Sequence, residues 1–172
     1  MQRQSLASPQ ALGRWLTTVH GGVAATSQTF IAGRVYLMQF VVPQSVMVDG
    51  LSYTVGAVSV GNVIGGIVGP VSRTADSPDG GVVLVQSAST AQAAINTAQL
   101  LTWTSVTLQP GVYYAALQGS DATGTYVRHS ATLQAPGLIT QYDRAGGYGA
   151  LTSPNPATVS TAGPPGLRLR LT

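Results

Sequence analysis

The chain reads as all-β: a jelly-roll-like antiparallel β-sandwich of about eight strands with an extended N-terminal arm. Three observations predict it. Short apolar stretches, many alternating with period two, recur roughly every 8–12 residues. Turn residues separate them, drawn from 21 Gly and 10 Pro. All eight basic residues are Arg and all five acidic residues are Asp. The chain therefore lacks Lys and Glu, two of the best surface helix formers.

The 172 residues fit one domain with room for a sizeable core. Residues 1–29 are compositionally distinct, rich in Gln, Ser, Ala and Thr with paired Gly21-Gly22. They read as an arm. A short helix is expected around Pro9–Thr18, with Ser8 as N-cap and Pro9 at the first helical position. Fully extended, at about 3.3 Å per residue, such an arm reaches nearly 100 Å.

Residues 30–172 carry the sandwich. "RVYLMQFVV", Arg34 to Val42, is the first strand, and Pro43 ends it. Tyr36, Met38, Phe40 and Val42 share one face; Val35, Leu37 and Val41 share the other. Both faces are apolar, so this is a central, covered strand. In "SVMVDGLSYTVGAVSV" the pair Asp49-Gly50 reads as a break, after which Leu51, Tyr53, Val55 and Ala57 alternate. Gly50 to Ser72 is long enough and uncharged enough to span a bilayer. Its six Gly, one Pro and the turn signal at Gly61-Asn62 favour two buried strands joined by that turn.

Pro78-Asp79-Gly80 marks a strong turn before the strand "VVLVQS" at residues 82–87. Residues 88–100 read as loop with one helical turn. "LTWTSVTL" alternates Leu101, Trp103, Ser105 and Thr107 against Thr102, Thr104, Val106 and Leu108. Pro110-Gly111 then turns the chain into "VYYAALQG", whose adjacent Tyr113 and Tyr114 fall on opposite faces of a strand. One ring is expected in the core, joined by Ala115 and Leu117 if it is Tyr113; the other is expected, with Ala116, on the outer face or under a covering loop. "GTYVRHSATL" gives another strand. Residues 135–166 form a loop-rich segment, and "LRLRL" closes the chain as a half-buried strand with Arg168 and Arg170 turned outward.

The sequence excludes much chemistry. With no Cys, disulfides and thiolate chemistry are ruled out. No Lys is present for a P-loop or a Schiff base, and no G-x-S-x-G or H-E-x-x-H motif occurs. His20 and His129 could each be grouped with a Ser and an Asp, but any chain of this size offers that. Asp76 and Asp79 share one loop and could help to hold a calcium ion; their commoner role is turn initiation. No enzymatic activity and no cofactor is expected. The net charge of +3 is spread without a basic run, which argues against direct nucleic-acid binding. Charged residues are 8% of the chain, against about 25% in an average domain. So little charge suits a surface that partners cover. The residues expected to meet partners are Arg3, Arg14 and Trp15 in the arm, Tyr142, Arg144 and Tyr148 in the glycine-rich loop, and Arg168 and Arg170 at the end.

One run of pieces carries a resemblance. "FVVP" at Phe40–Pro43 is followed by "VDGLSYTV" at Val48–Val55, "GIV" at Gly66–Val68, "VLVQS", and "LQPGVYYAAL" at Leu108–Leu117. Over residues 34–133 this resembles small jelly-roll or β-sandwich domains of tailed-bacteriophage virion proteins: capsid cement or decoration proteins, head fibres and tail appendages. The resemblance implies a non-enzymatic structural protein of the virion, assembled in the host cytoplasm and forming a homo-oligomer. Its expected partner is a major capsid protein or another virion protein, and no membrane is involved. A tail or head-fibre module binding host-surface glycan is the alternative.

Overall fold

The computed structural model describes residues 15–17, 26–71, 81–128, 141–144, 147–152, 158–159 and 165–172. The described residues form strands and turns, with no helix among them. The strands run β1 (Trp15–Thr17), β2 (Thr26–Thr29), β3 (Val35–Val42), β4 (Val46–Thr54), β5 (Asn62–Val71), β6 (Val83–Gln86), β7 (Thr90–Ala91), β8 (Ala98–Leu108), β9 (Gly111–Gly119), β10 (Thr125–Arg128), β11 (Gln141–Arg144), β12 (Thr158–Val159) and β13 (Arg168–Leu171). The eight expected strands are β3, β4, β5, β6, β8, β9, β10 and β13.

Two sheets stack. A four-stranded sheet has the order β1-β13-β4-β8. A seven-stranded sheet has the order β12-β11-β3-β9-β5-β6, with β7 also on β5. β10 and β2 form a separate pair. All pairings are antiparallel. The central pairs are nested: β3 with β9, β4 with β8, β5 with β6. Successive strands β3, β4 and β5 alternate between the sheets, and β8 and β9 do so on the way back. This nesting gives the sandwich its jelly-roll character.

The main core lies between the sheets. Tyr36, Met38, Phe40 and Val42 of β3 meet Leu51 and Tyr53 of β4, Leu101 and Leu108 of β8, and Leu167 and Leu169 at β13. Tyr113, Ala115 and Leu117 of β9 join them, and the Tyr113 ring stacks on Phe40 at 5.7 Å between centroids. Phe30, Tyr36 and Tyr126 form a second aromatic knot, with centroids 4.9–6.0 Å apart. The opposite face of the seven-stranded sheet is also covered. Val35, Leu37, Ile64, Val68, Tyr114 and Ala116 bury against Leu151. The two tyrosines thus sit in two different cores on either side of β9. The outer one is roofed by the segment 147–152.

Gly65 and Gly66 explain why β5 carries two adjacent glycines. A Cβ on Gly65 would come within 2.8 Å of Leu101 and 2.9 Å of Leu51. One on Gly66 would come within 2.6 Å of both the Leu151 side chain and the Val85 carbonyl. The strand is pressed from both faces, and only glycine fits.

Several expectations are corrected. Trp15–Thr17 is a strand, not the end of a helix, because pairing with β13 satisfies its backbone where an isolated short helix could not persist. The rest of the expected helix, Pro9–Arg14 and Thr18, lies outside the described residues. Asp49-Gly50 does not break β4; it is an irregularity within it. Val48 and Leu51 are both buried although they are three apart. The inward phase therefore switches there, and β8 switches opposite it, between Leu101 and Val106. That is why Ser105 and Thr107 are exposed although their alternation continues that of Leu101 and Trp103. β4 and β5 do not pair with each other. The link through residues 55–61 carries the chain from one sheet to the other, with Gly61 at φ 80° just before β5. The uncharged Gly50–Ser72 run supplies the end of β4 and all of β5. No helix among the described residues is long and apolar enough to cross a membrane.

Candidate functional site

Four surfaces could serve this molecule: the outer face of each sheet, the loop end and the lateral edge. Arg170 on β13 donates from Nε to Asp49 Oδ1 at 2.6 Å and from Nη2 to Oδ2 at 2.7 Å. The irregularity in β4 presents Asp49 to this two-pronged grip. Donating to the Asp49 carboxylate holds the Arg170 guanidinium above its ordinary pKa. The sequence expected Arg170 to face solvent or a partner's carboxylate; its carboxylate is in its own chain. Arg168, two residues earlier and on the same face, is exposed. Trp15 lies opposite Arg170 in the β1–β13 register.

The second group of expected partner residues is on the other sheet. Tyr142 pairs in register with Leu37 and Val159, and Arg144 with Val35. Tyr148 packs partly buried on the outer core, and its hydroxyl is 2.6 Å from Ser89 Oγ. Two glutamines hold this roof down. Gln118 Nε2 donates to Gly33 O at 2.8 Å and to Gly147 O at 3.1 Å, while Leu151 N donates to Gln86 Oε1 at 2.7 Å. Tyr148 therefore fastens the loop to its own domain. The expected residues form two separate sets, Trp15, Arg168 and Arg170 on one sheet and Tyr142, Arg144 and Tyr148 on the other. Arg3, Arg14, His20, Asp76, Asp79 and His129 lie outside the described residues.

The loop end is held by a polar network that the sequence did not announce. Tyr53 OH donates to Gln99 Oε1 at 2.8 Å. Gln92 Nε2 donates to Tyr53 OH at 3.3 Å and to Thr125 O at 3.1 Å. Gln99 Nε2 donates to Ala91 O at 2.8 Å, and Val60 N donates to Gln92 Oε1 at 3.0 Å. Burial pushes the Tyr53 phenol up to about 12, against a smaller lowering by the bond from Gln92. The network is fully engaged in tying residues 55–61 to residues 91–99, and it offers no free group for acid–base work. Among the described residues no three His, Cys, Asp or Glu side chains gather as a metal site would require.

The charged residues with described side chains are Arg34, Asp49, Asp121, Arg128, Arg168 and Arg170; Arg168 is exposed and the other five are half-buried. Exposed large apolar side chains outnumber them. Ile31, Val58, Val60 and Ile95 belong to loops at one end of the sandwich; Val41, Met47 and Val82 lie at the other. No charged residue occurs between Asp79 and Asp121. That neutral run supplies β6 and β8, the last strands of the two sheets on one side. Comparison with known protein families, with curated proteins and with solved structures yields no match.

Proposed function

We propose that this chain is a non-enzymatic structural protein that works by covering and being covered, and, more narrowly, that it is a cement or decoration protein on a bacteriophage capsid. One observation carries the reading: the described surface has more exposed large apolar side chains than charged residues, and of those charged residues only Arg168 is exposed rather than half-buried. A free monomer keeps its solubility with dispersed charge, whereas a subunit in an assembly does not need it. The resemblance of the sequence over residues 34–133 to virion sandwiches supports this class of assembly. Its mechanism is multivalent burial: a rigid sandwich presents ends that carry exposed apolar side chains and an uncharged β6–β8 edge to the shell and to its neighbours, and many weak contacts add.

The deciding experiment is quantitative mass spectrometry of purified virions from a phage that carries this gene. Copies of the chain in the hundreds per particle, lost together with capsid stability when the gene is deleted, are the expected result. A few to a few dozen copies would move the protein to a tail or fibre, and its absence from the particle would end the reading.

A further inference from the structure

We propose that two copies of this chain join edge to edge through β8, antiparallel about a two-fold axis at Leu100. The idea deepens the assembly reading above and names its first partner, a second copy. β8 is the last strand of the four-stranded sheet, paired with β4 on one side. Among the described residues no strand pairs with its other edge.

The backbone groups on that edge can be assigned. Val55 N donates to Thr97 O at 2.9 Å, and these residues continue the register Thr54↔Ala98, Tyr53↔Gln99, Leu51↔Leu101. In an antiparallel ladder the hydrogen-bonded pairs alternate with open ones. Thr97 therefore turns its carbonyl, and Gln99 and Leu101 both backbone groups, to the β4 side, while Asn96 N bonds the Val55 carbonyl at 3.1 Å. The N–H and C=O groups of Ala98, Leu100 and Thr102 point to the free edge. Ala98 and Thr102 are exposed and Leu100 is half-buried, so the edge is open to an approaching strand.

Edge strands normally protect themselves with charge, proline or irregularity. Ala98–Thr102 has none of these, and the irregularity in β8 begins only after Thr102. A strand facing itself across a two-fold axis must tolerate its own side chains opposite one another, and like charges there repel. This edge meets that condition, because the whole run between Asp79 and Asp121 is uncharged. Centring the axis on Leu100 uses the three free residues completely. Leu100 faces Leu100, and Ala98 faces Thr102 of the other copy. Apolar contact forms at the axis with small and β-branched residues beside it. β6, the last strand of the other sheet, lies beside β8 and belongs to the same neutral run. The two four-stranded sheets become one of eight strands.

The chain has no Cys, which gives a clean test on the full-length protein. In a hydrogen-bonded antiparallel pair facing Cα atoms are about 5.5 Å apart, within disulfide reach. Leu100→Cys should give a disulfide-linked dimer on mild oxidation, and Thr107→Cys, on the same strand but far from the axis, should not. By sedimentation velocity at about 100 μM, a load that detects micromolar association, the unmodified chain should be dimeric. Leu100→Arg, which sets two guanidinium groups against each other, should be monomeric with an unchanged far-ultraviolet circular dichroism spectrum. A monomeric unmodified chain overturns the proposal. So does a dimer that survives Leu100→Arg, or equal cross-linking at both positions. A monomer that still decorates particles would sink the β8 pairing alone. A β8 dimer absent from particles would sink the capsid reading alone.

Discussion

Truncating Leu151 to alanine tests the claim that the seven-stranded sheet has a core on each face. Leu151 is 7% exposed and packs in the outer cluster with Leu37, Ile64, Val68, Tyr114 and Ala116. Leu151→Ala removes three methyl or methylene equivalents from that cluster, about 2.4 kcal/mol of transfer free energy at about 0.8 kcal/mol each. A cavity adds to this in a rigid core, where Leu→Ala costs about 2–5 kcal/mol. Here Leu151 sits in a covering segment held by a few side-chain bonds, one to Gln86 and two to Gln118, so the segment can settle into part of the gap. The expected loss is therefore near the low end, about 2–3 kcal/mol. For a domain of this size each kcal/mol lowers the melting temperature by roughly 2–4 °C, so the midpoint should fall by about 4–12 °C. Differential scanning calorimetry, with urea unfolding as a second measure, would read it. A shift below about 1 °C would mean that Leu151 does not roof the sheet, and the outer core would be lost from the description.

Gly66→Ala should destabilise the fold by about 1–3 kcal/mol, because its Cβ meets the Val85 carbonyl and the Leu151 side chain; a neutral result in urea unfolding would show that β5 is not pressed from both sides. Tyr53 makes alkaline pH a probe. Its phenol is at about 12 when folded and about 10 when unfolded. Its stabilising effect is therefore complete below pH 10 and is lost as the pH rises towards 12, a loss of about 2–3 kcal/mol. Tyr53→Phe should flatten that part of the stability curve, and an unchanged alkaline slope would remove Tyr53 as its cause. Asp49→Asn should loosen β13 by breaking the two-pronged bond with Arg170, seen as faster amide hydrogen exchange at Arg168–Leu171; exchange equal to the parent protein would show that backbone pairing alone holds that strand. Tyr148→Phe should cost less than about 1 kcal/mol, since its exposed bond to Ser89 competes with water.

Most of the sandwich was legible in the sequence because strand burial writes itself into period two. β3 shows this best. Its even residues line the main core, Val35 and Leu37 line the outer one, and Pro43 follows its end. The Tyr113–Tyr114 pair was legible for the same reason. Asp49-Gly50 was misread because its local chemistry is that of a turn, while pairing with both β13 and β8 holds the strand straight through it. The short strands β7, β11 and β12 carry too few residues to show a period. Of the expected partner residues, Arg168 is exposed as its alternation predicts, while Arg170 and Tyr148 are engaged within the chain. An exposed-looking arginine or tyrosine says nothing in sequence about which long-range group it will meet.

The sequence by itself determined that the chain is all-β, where its eight principal strands lie, which faces of the central strands are apolar, and that its surface is poor in charge. Those properties are local, set by alternation, turn residues and composition. Only the tertiary structure decided that β4 and β5 part into different sheets, that Asp49 waits for Arg170, that Gln86 and Gln118 fasten a roof over Tyr114, and that β8 ends its sheet with Leu100 on an open edge. Each of these joins residues distant in the chain, and such pairings are chosen by packing and backbone hydrogen bonding across the whole fold rather than by any neighbour in sequence.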